Sequence, residues 1–217
     1  MTTIRGPLQD VLQGEVTPQA LVDKEIEKEV ICSYVPLRPS QPLIYTFNRW
    51  KRNSMLLLPP ESSRNRTPVY NIEVSLNLNP FTPLSYVTTI RRGDTEDGPI
   101  VGEFELAVSH TRATVTLGSL CTRMSNVLTN QNDRRVWQWK HTNIDLRWDC
   151  RAKLDDGSPM CICSNAQRLQ LASFVPPPID ASPPLPDATL TVFPDGHALF
   201  DDILISALVL DRKMTLS

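Results

Sequence analysis

Glycine is scarce in this chain. Eight occur in 217 residues, and none fall into the G-x-G-x-x-G or G-x-x-x-x-G-K-[ST] patterns that let a backbone cradle phosphate. That excludes the common nucleotide-binding loops. An H-E-x-x-H pair and a G-x-S-x-G elbow are also missing, which removes the signatures of zinc peptidases and α/β-hydrolases. The opening residues, MTTIRGPLQDVLQGEV, lack the apolar core of a secretory signal. Five cysteines (Cys32, Cys121, Cys150, Cys161, Cys163) form an odd set without a disulfide framework, so a reducing, intracellular setting is expected. A bilayer span needs roughly 20 apolar residues. The most apolar stretch, residues 198–210, has ten among thirteen and includes two aspartates, so no transmembrane segment is expected.

Strong net charge is likewise absent. The total is −2, which gives no global signal for nucleic acid. The distribution is uneven, however: residues 31–93 carry eight basic and two acidic groups, a net of +6. That section is a candidate anion-facing surface. Arg49, Lys51 and Arg52 lie beside Trp50, Arg91 and Arg92 end an apolar-alternating run, and Arg134 and Arg135 add a further pair.

What the chain does contain is alternation. Ile144, Leu146, Trp148 and Cys150 fall on one side of an extended segment, with Asp145, Arg147, Asp149 and Arg151 on the other. Gly102, Phe104, Leu106 and Ala113, Val115, Leu117 repeat the pattern, the mark of strands with one buried face. Further strands are predicted over 43–50, 54–58, 69–76, 85–92, 135–140, 159–164, 168–175 and 188–193, making about eleven. Turn sequences such as Asp97-Gly98-Pro99 and Asp156-Gly157-Ser158-Pro159 separate them. So many strands in succession, uninterrupted by helices, indicate an antiparallel barrel or sandwich. The proline-rich segment 176–187 is expected to be a surface loop. Residues 1–40 differ: Thr17-Pro18 reads as a helix start, and Val22, Ile26 and Val30 form a short amphipathic stripe. They are expected to form an N-terminal appendage to a domain over 41–217.

The closing segment, about residues 196–212, is the one strong helix in that domain. Asp195 stands where a cap would be, Asp201 and Asp202 lie in the first turns, and Arg212 and Lys213 end it, in the order the helix dipole favours. Phe200, Ile203, Leu204, Ala207, Leu208 and Leu210 point in all directions, so the helix is expected to be buried in protein. One of the two aspartates is expected to be drawn inside and supported by free backbone N–H groups.

Strands closed around a C-terminal hydrophobic helix resemble the tubby-like fold of tubby domains, phospholipid scramblases and plant LURP-one-related proteins. The segments YVTTIRR (86–92), VGEFEL (101–106), VWQWK (136–140), IDLRWDC (144–150) and FDDILISALVLDRK (200–213) carry the resemblance. It is greatest to small fungal (basidiomycete) domains of unknown function assigned to that superfamily, and it spans residues 43–213. It implies a mainly β, antiparallel barrel closed around the helix.

No metal site, cofactor or catalytic residue is expected. Cys161 and Cys163 share a strand face, but a lone C-x-C lacks the four ligands of structural zinc. Trp137, Trp139 and Trp148 read as barrel packing. With the helix filling the interior, the working surface is expected outside. The resulting expectation is a non-enzymatic binding module that contacts anionic lipid headgroups or a protein partner, cytoplasmic or peripheral to a membrane. The alternatives are a purely structural or protein-interaction domain using the N-terminal acidic helix, and a hydrolase or ligand-carrying barrel.

Overall fold

The computed structural model describes residues 38–108, 112–131, 133, 135–178, 182 and 184–215. The N-terminal helix expected before residue 38, and Arg134, lie outside them. The unit containing the described residues, Pro36–Ser217, is mainly β.

The strands are β1 (Leu43–Phe47), β2 (Ser54–Leu58), β3 (Tyr70–Asn77), β4 (Ser85–Arg92), β5 (Ile100–Ala107), β6 (Ala113–Leu117), β7 (Leu120–Arg123), β8 (Leu128–Asn130), β9 (Val136–His141), β10 (Ile144–Lys153), β11 (Pro159–Asn165), β12 (Gln170–Val175) and β13 (Thr189–Val192). They form one antiparallel sheet in the order β7-β6-β5-β4-β3-β2-β1-β13-β12-β11-β10-β9-β8. Each strand pairs with its sequence neighbour, except where β1 joins β13 and where β7 and β8 form the two edges. Period-two alternation sets the buried face: Leu146, Trp148 and Cys150 of β10 are buried while the residues between them are not.

The hydrogen-bonded ladder does not close, contrary to the sequence expectation of a closed barrel. In an all-antiparallel sheet of thirteen strands, the first and last strands point the same way. Closure would need a parallel β7–β8 pair, and none forms. Instead a single helical turn, α1 (Met124–Val127), links the two edge strands and buries Met124 and Val127.

The sheet curls around α2 (Phe200–Thr215), in which every residue from Ile203 to Leu210 is at most 5% exposed. Phe200, at the start, is half-buried. Strands from both halves of the sheet touch the helix. A Cβ on Gly102 of β5 would lie 2.6 Å from the Ile205 Cδ1 atom, and the Trp148 indole N–H of β10 donates to Ser206 Oγ at 3.0 Å. The helix starts later than the sequence suggested. Residues Pro194–Leu199 form a 3₁₀ turn with proline at its first position and no side-chain cap; Asp195 pairs with Arg38 instead.

Candidate functional site

The axis of α2 defines two ends of the molecule. Asp201 and Asp211 are ten residues apart on it, about 15 Å at the helical rise.

At the N-terminal end both aspartates are saturated by the sheet rather than by free helix N–H groups. Arg92 of β4 grips Asp201 through two hydrogen bonds from one nitrogen, at 3.0 and 2.8 Å. The Tyr70 hydroxyl of β3 donates to the same carboxylate. Burial, and then the Asp201 charge, push the Tyr70 phenol far above its ordinary range, so it remains a donor. Phe200 stacks on the Tyr70 ring at 5.6 Å. Asp202 accepts the Trp139 indole N–H at 3.1 Å and lies 3.1 Å from His141 Nδ1. Through these bonds the two carboxylates fasten the helix to β3, β4 and β9, while His141 Nε2 is buried without a hydrogen-bond partner among the described residues.

The basic residues singled out in the sequence therefore separate. Arg92 is committed to Asp201, and Arg91, next to it, donates from Nη1 to the Gly98 carbonyl at 3.2 Å. Both belong to the N-terminal end. Arg49, Lys51 and Arg52 sit at the opposite end, in the turn between β1 and β2. A two-residue turn closed by the Lys51–Ser54 bridge presents them, with Arg52 in the left-handed region at φ 59°. Arg49 Nε lies 3.7 Å from Asp187, while Trp50 stands half-exposed between the cations. Arg135 immediately precedes β9 and is exposed. Because the far end of that strand, His141, meets Asp202, Arg135 also belongs to the C-terminal end.

The sequence reading missed an apolar tip at this same end. β3 runs four residues beyond Glu73, which pairs with Ser54, so the β3–β4 hairpin projects past the basic turn. Asn77 and Asn79 shape its tip by accepting the N–H groups of Asn79 and Phe81, each at 3.0 Å. Leu78, Phe81 and Leu84 point outward, with Phe81 94% exposed. Large apolar residues inside a turn segment, NLNPFTPL, were the available signal.

Two adjoining cavities open at this end as well. One, of about 360 Å³, is walled by Phe47, Phe174, Leu185 and prolines 176, 177, 184 and 186. The other, about 270 Å³, lies toward Arg52, Val74 and Arg212. Trp50, Met55, Leu208 and Asp211 line both. Burial pushes the Asp211 carboxyl up to about 6 against the opposing pull of Arg212.

Elsewhere, Cys150, Cys161 and Cys163 are buried. The Cys161 thiol is pushed far upward by its hydrogen bond with Cys150 and by burial, and Cys163 by burial. These are inert packing thiols. Among the described residues no group of three or more His, Cys, Asp or Glu is placed to hold a metal ion, and no helix is long and apolar enough to cross a membrane.

No match is found among curated proteins or among solved structures. A family model does match, over residues 53–215, which takes in β2 through α2 and therefore the hairpin tip and the buried helix, while β1 and the basic residues up to Arg52, which help line the cavities, lie before it. The chain belongs to that family, DUF6593, a family of unknown function.

Proposed function

We propose that this chain is a non-enzymatic binding module that docks onto anionic membrane surfaces with the end of the sheet at the C-terminus of α2. One observation carries the reading: exposed Leu78, Phe81 and Leu84 share an end of the molecule with Arg49, Trp50, Lys51 and Arg52. Apolar and aromatic tips partition into the boundary between headgroups and acyl chains. Basic groups beside them gain about 1 kcal/mol each near an anionic leaflet. The buried helix fills the centre of the fold and leaves the outer surface to do the work. We also infer kinship with tubby-like and scramblase-type domains of fungi; the curled antiparallel sheet around a C-terminal hydrophobic helix supports it. The corresponding location is intracellular, peripheral to a membrane.

Co-sedimentation with vesicles tests the proposal. Binding to phosphatidylserine or phosphoinositide vesicles is expected to exceed binding to neutral phosphatidylcholine and to weaken with salt. The double variant Lys51→Glu/Arg52→Glu is expected to abolish the anionic preference, and Phe81→Ser to weaken binding to every vesicle. Equal sedimentation with neutral and anionic lipid, or an unchanged charge-reversed variant, overturns the proposal. Retention of a protein partner that depends on Phe81, without vesicle binding, would favour the protein-interaction reading.

A further inference from the structure

We infer that the paired cavities at the C-terminal end of α2 form a binding site for a small amphipathic amine, with its apolar body among the prolines and aromatic rings and its ammonium group against Asp211. This does not rest on the membrane reading, since the ligand enters the cavity as a single molecule.

The larger volume, about 360 Å³, falls within the range of small-molecule sites, roughly 300–1,000 Å³, and the smaller, about 270 Å³, adjoins it. The larger cavity has walls suited to a hydrocarbon or ring: Phe47, Phe174, Leu185 and the prolines. One acid stands where the cavities meet. The Asp211 carboxylate makes no hydrogen bond or ion pair among the described residues, although its neighbours on the helix are buried or half-buried. A desolvated carboxylate without a partner is costly unless a cation or donor reaches it. Trp50 lines both cavities and adds a ring face for a cation. The C-terminal end of α2 contributes partial negative charge.

The charged groups facing Asp211 from surrounding elements do not take that role. On its own helix, Arg212 holds its guanidinium over the Tyr86 ring at 5.8 Å, and Lys213 follows it. Arg52 of the β1–β2 turn is exposed. Arg49 and Asp187 pair with each other. From β11, Cys161 contributes a thiol that its hydrogen bond with Cys150, and then burial, hold far above the ordinary thiol range. Because burial holds the Asp211 carboxyl at about 6, a bound ammonium must draw it into the ionised form. Amine affinity should therefore fall about tenfold per pH unit below that value.

Calorimetric titration of the full chain with octylamine, octanoate and octanol, at concentrations where none aggregates, tests the assignment. At pH 7.5 octylamine should bind at least tenfold more tightly than octanoate or octanol. Asp211→Asn should bring octylamine down to the level of octanol and leave octanol unchanged. If that variant fails to fold, the pH series on the unmodified chain carries the test, with the loss of octylamine affinity between pH 6 and 5 as its readout. Octanoate binding tightest, affinity blind to charge, or no binding of any of the three would each overturn the inference. Vesicle binding without octylamine binding would reject this site alone, and the reverse would reject only the membrane reading.

Discussion

Gly102 shows how closely the sheet is fitted to its helix. Besides the Ile205 contact, a side chain there would meet Leu117 Cδ2 and the Thr116 carbonyl, each at 3.1 Å. Gly102→Ala should therefore destabilise the fold by about 1–3 kcal/mol, the cost of overfilling a packed core. Ile205→Val removes the nearest methyl group and alone should cost about 0.5–1.5 kcal/mol. The double variant should be less unstable than the two effects added together, because the second change makes room for the first. Urea unfolding of all four proteins checks this; strict additivity would show that α2 does not approach β5 closely. The same scale explains why the site was only partly legible. The composition around Trp50 revealed a basic cluster, and a local turn keeps it together. Nothing near Arg92 in the sequence says that it is spent on Asp201, 109 residues later. Asp211 drew no attention because its unusual setting comes from β1, β2 and the proline segment, not from its neighbours in the chain.

At the scale of elements, legibility followed alternation. β10 and β11 announce themselves because every second side chain is buried. β7, with the burial pattern eeie, and β8, with three residues, have no apolar face to detect, and they are the edges that leave the ladder open. The central helix was visible for the opposite reason, since it has no polar face. Its one buried polar residue, Ser206, is explained by its partners: it accepts from Trp148 and donates to the Ile203 carbonyl at 3.1 Å. Ser206→Ala should leave the Trp148 N–H buried and unpaired, at a cost of about 1–3 kcal/mol. Leu204→Ala, which opens a cavity on the same helix, should cost about 2–5 kcal/mol. Denaturant midpoints will distinguish these from an exposed-position control such as Thr215→Ala. A loss near zero for Leu204→Ala would be incompatible with a helix enclosed on all sides.

For the whole molecule, two carboxyl groups pull stability in opposite directions with pH. Glu105 loses some solvation on burial, yet hydrogen bonds from Ser85 and Asn77 and the charge of Arg112 hold its carboxyl below the ordinary range. Its contribution is therefore present above the unfolded value and is lost as acid protonates the folded form. Asp211 behaves in reverse. Its folded-state value of about 6 lies above the unfolded one, so between the two the folded chain binds the extra proton. Stability then rises as pH falls through that window, and above it the ionised group is a net cost. Asp211→Asn should consequently be more stable than the unmodified chain at pH 7.5. The gain is on the order of 1–2 kcal/mol, discounted for the remaining exposure of the group. The difference should shrink steadily as pH falls from about 6 toward the unfolded value, below which the unmodified carboxyl is protonated in both states. Urea midpoints of the two proteins across this range measure it directly. A constant difference would mean that Asp211 is fully solvated, and the acid at the meeting of the two cavities would then have no need of a cation.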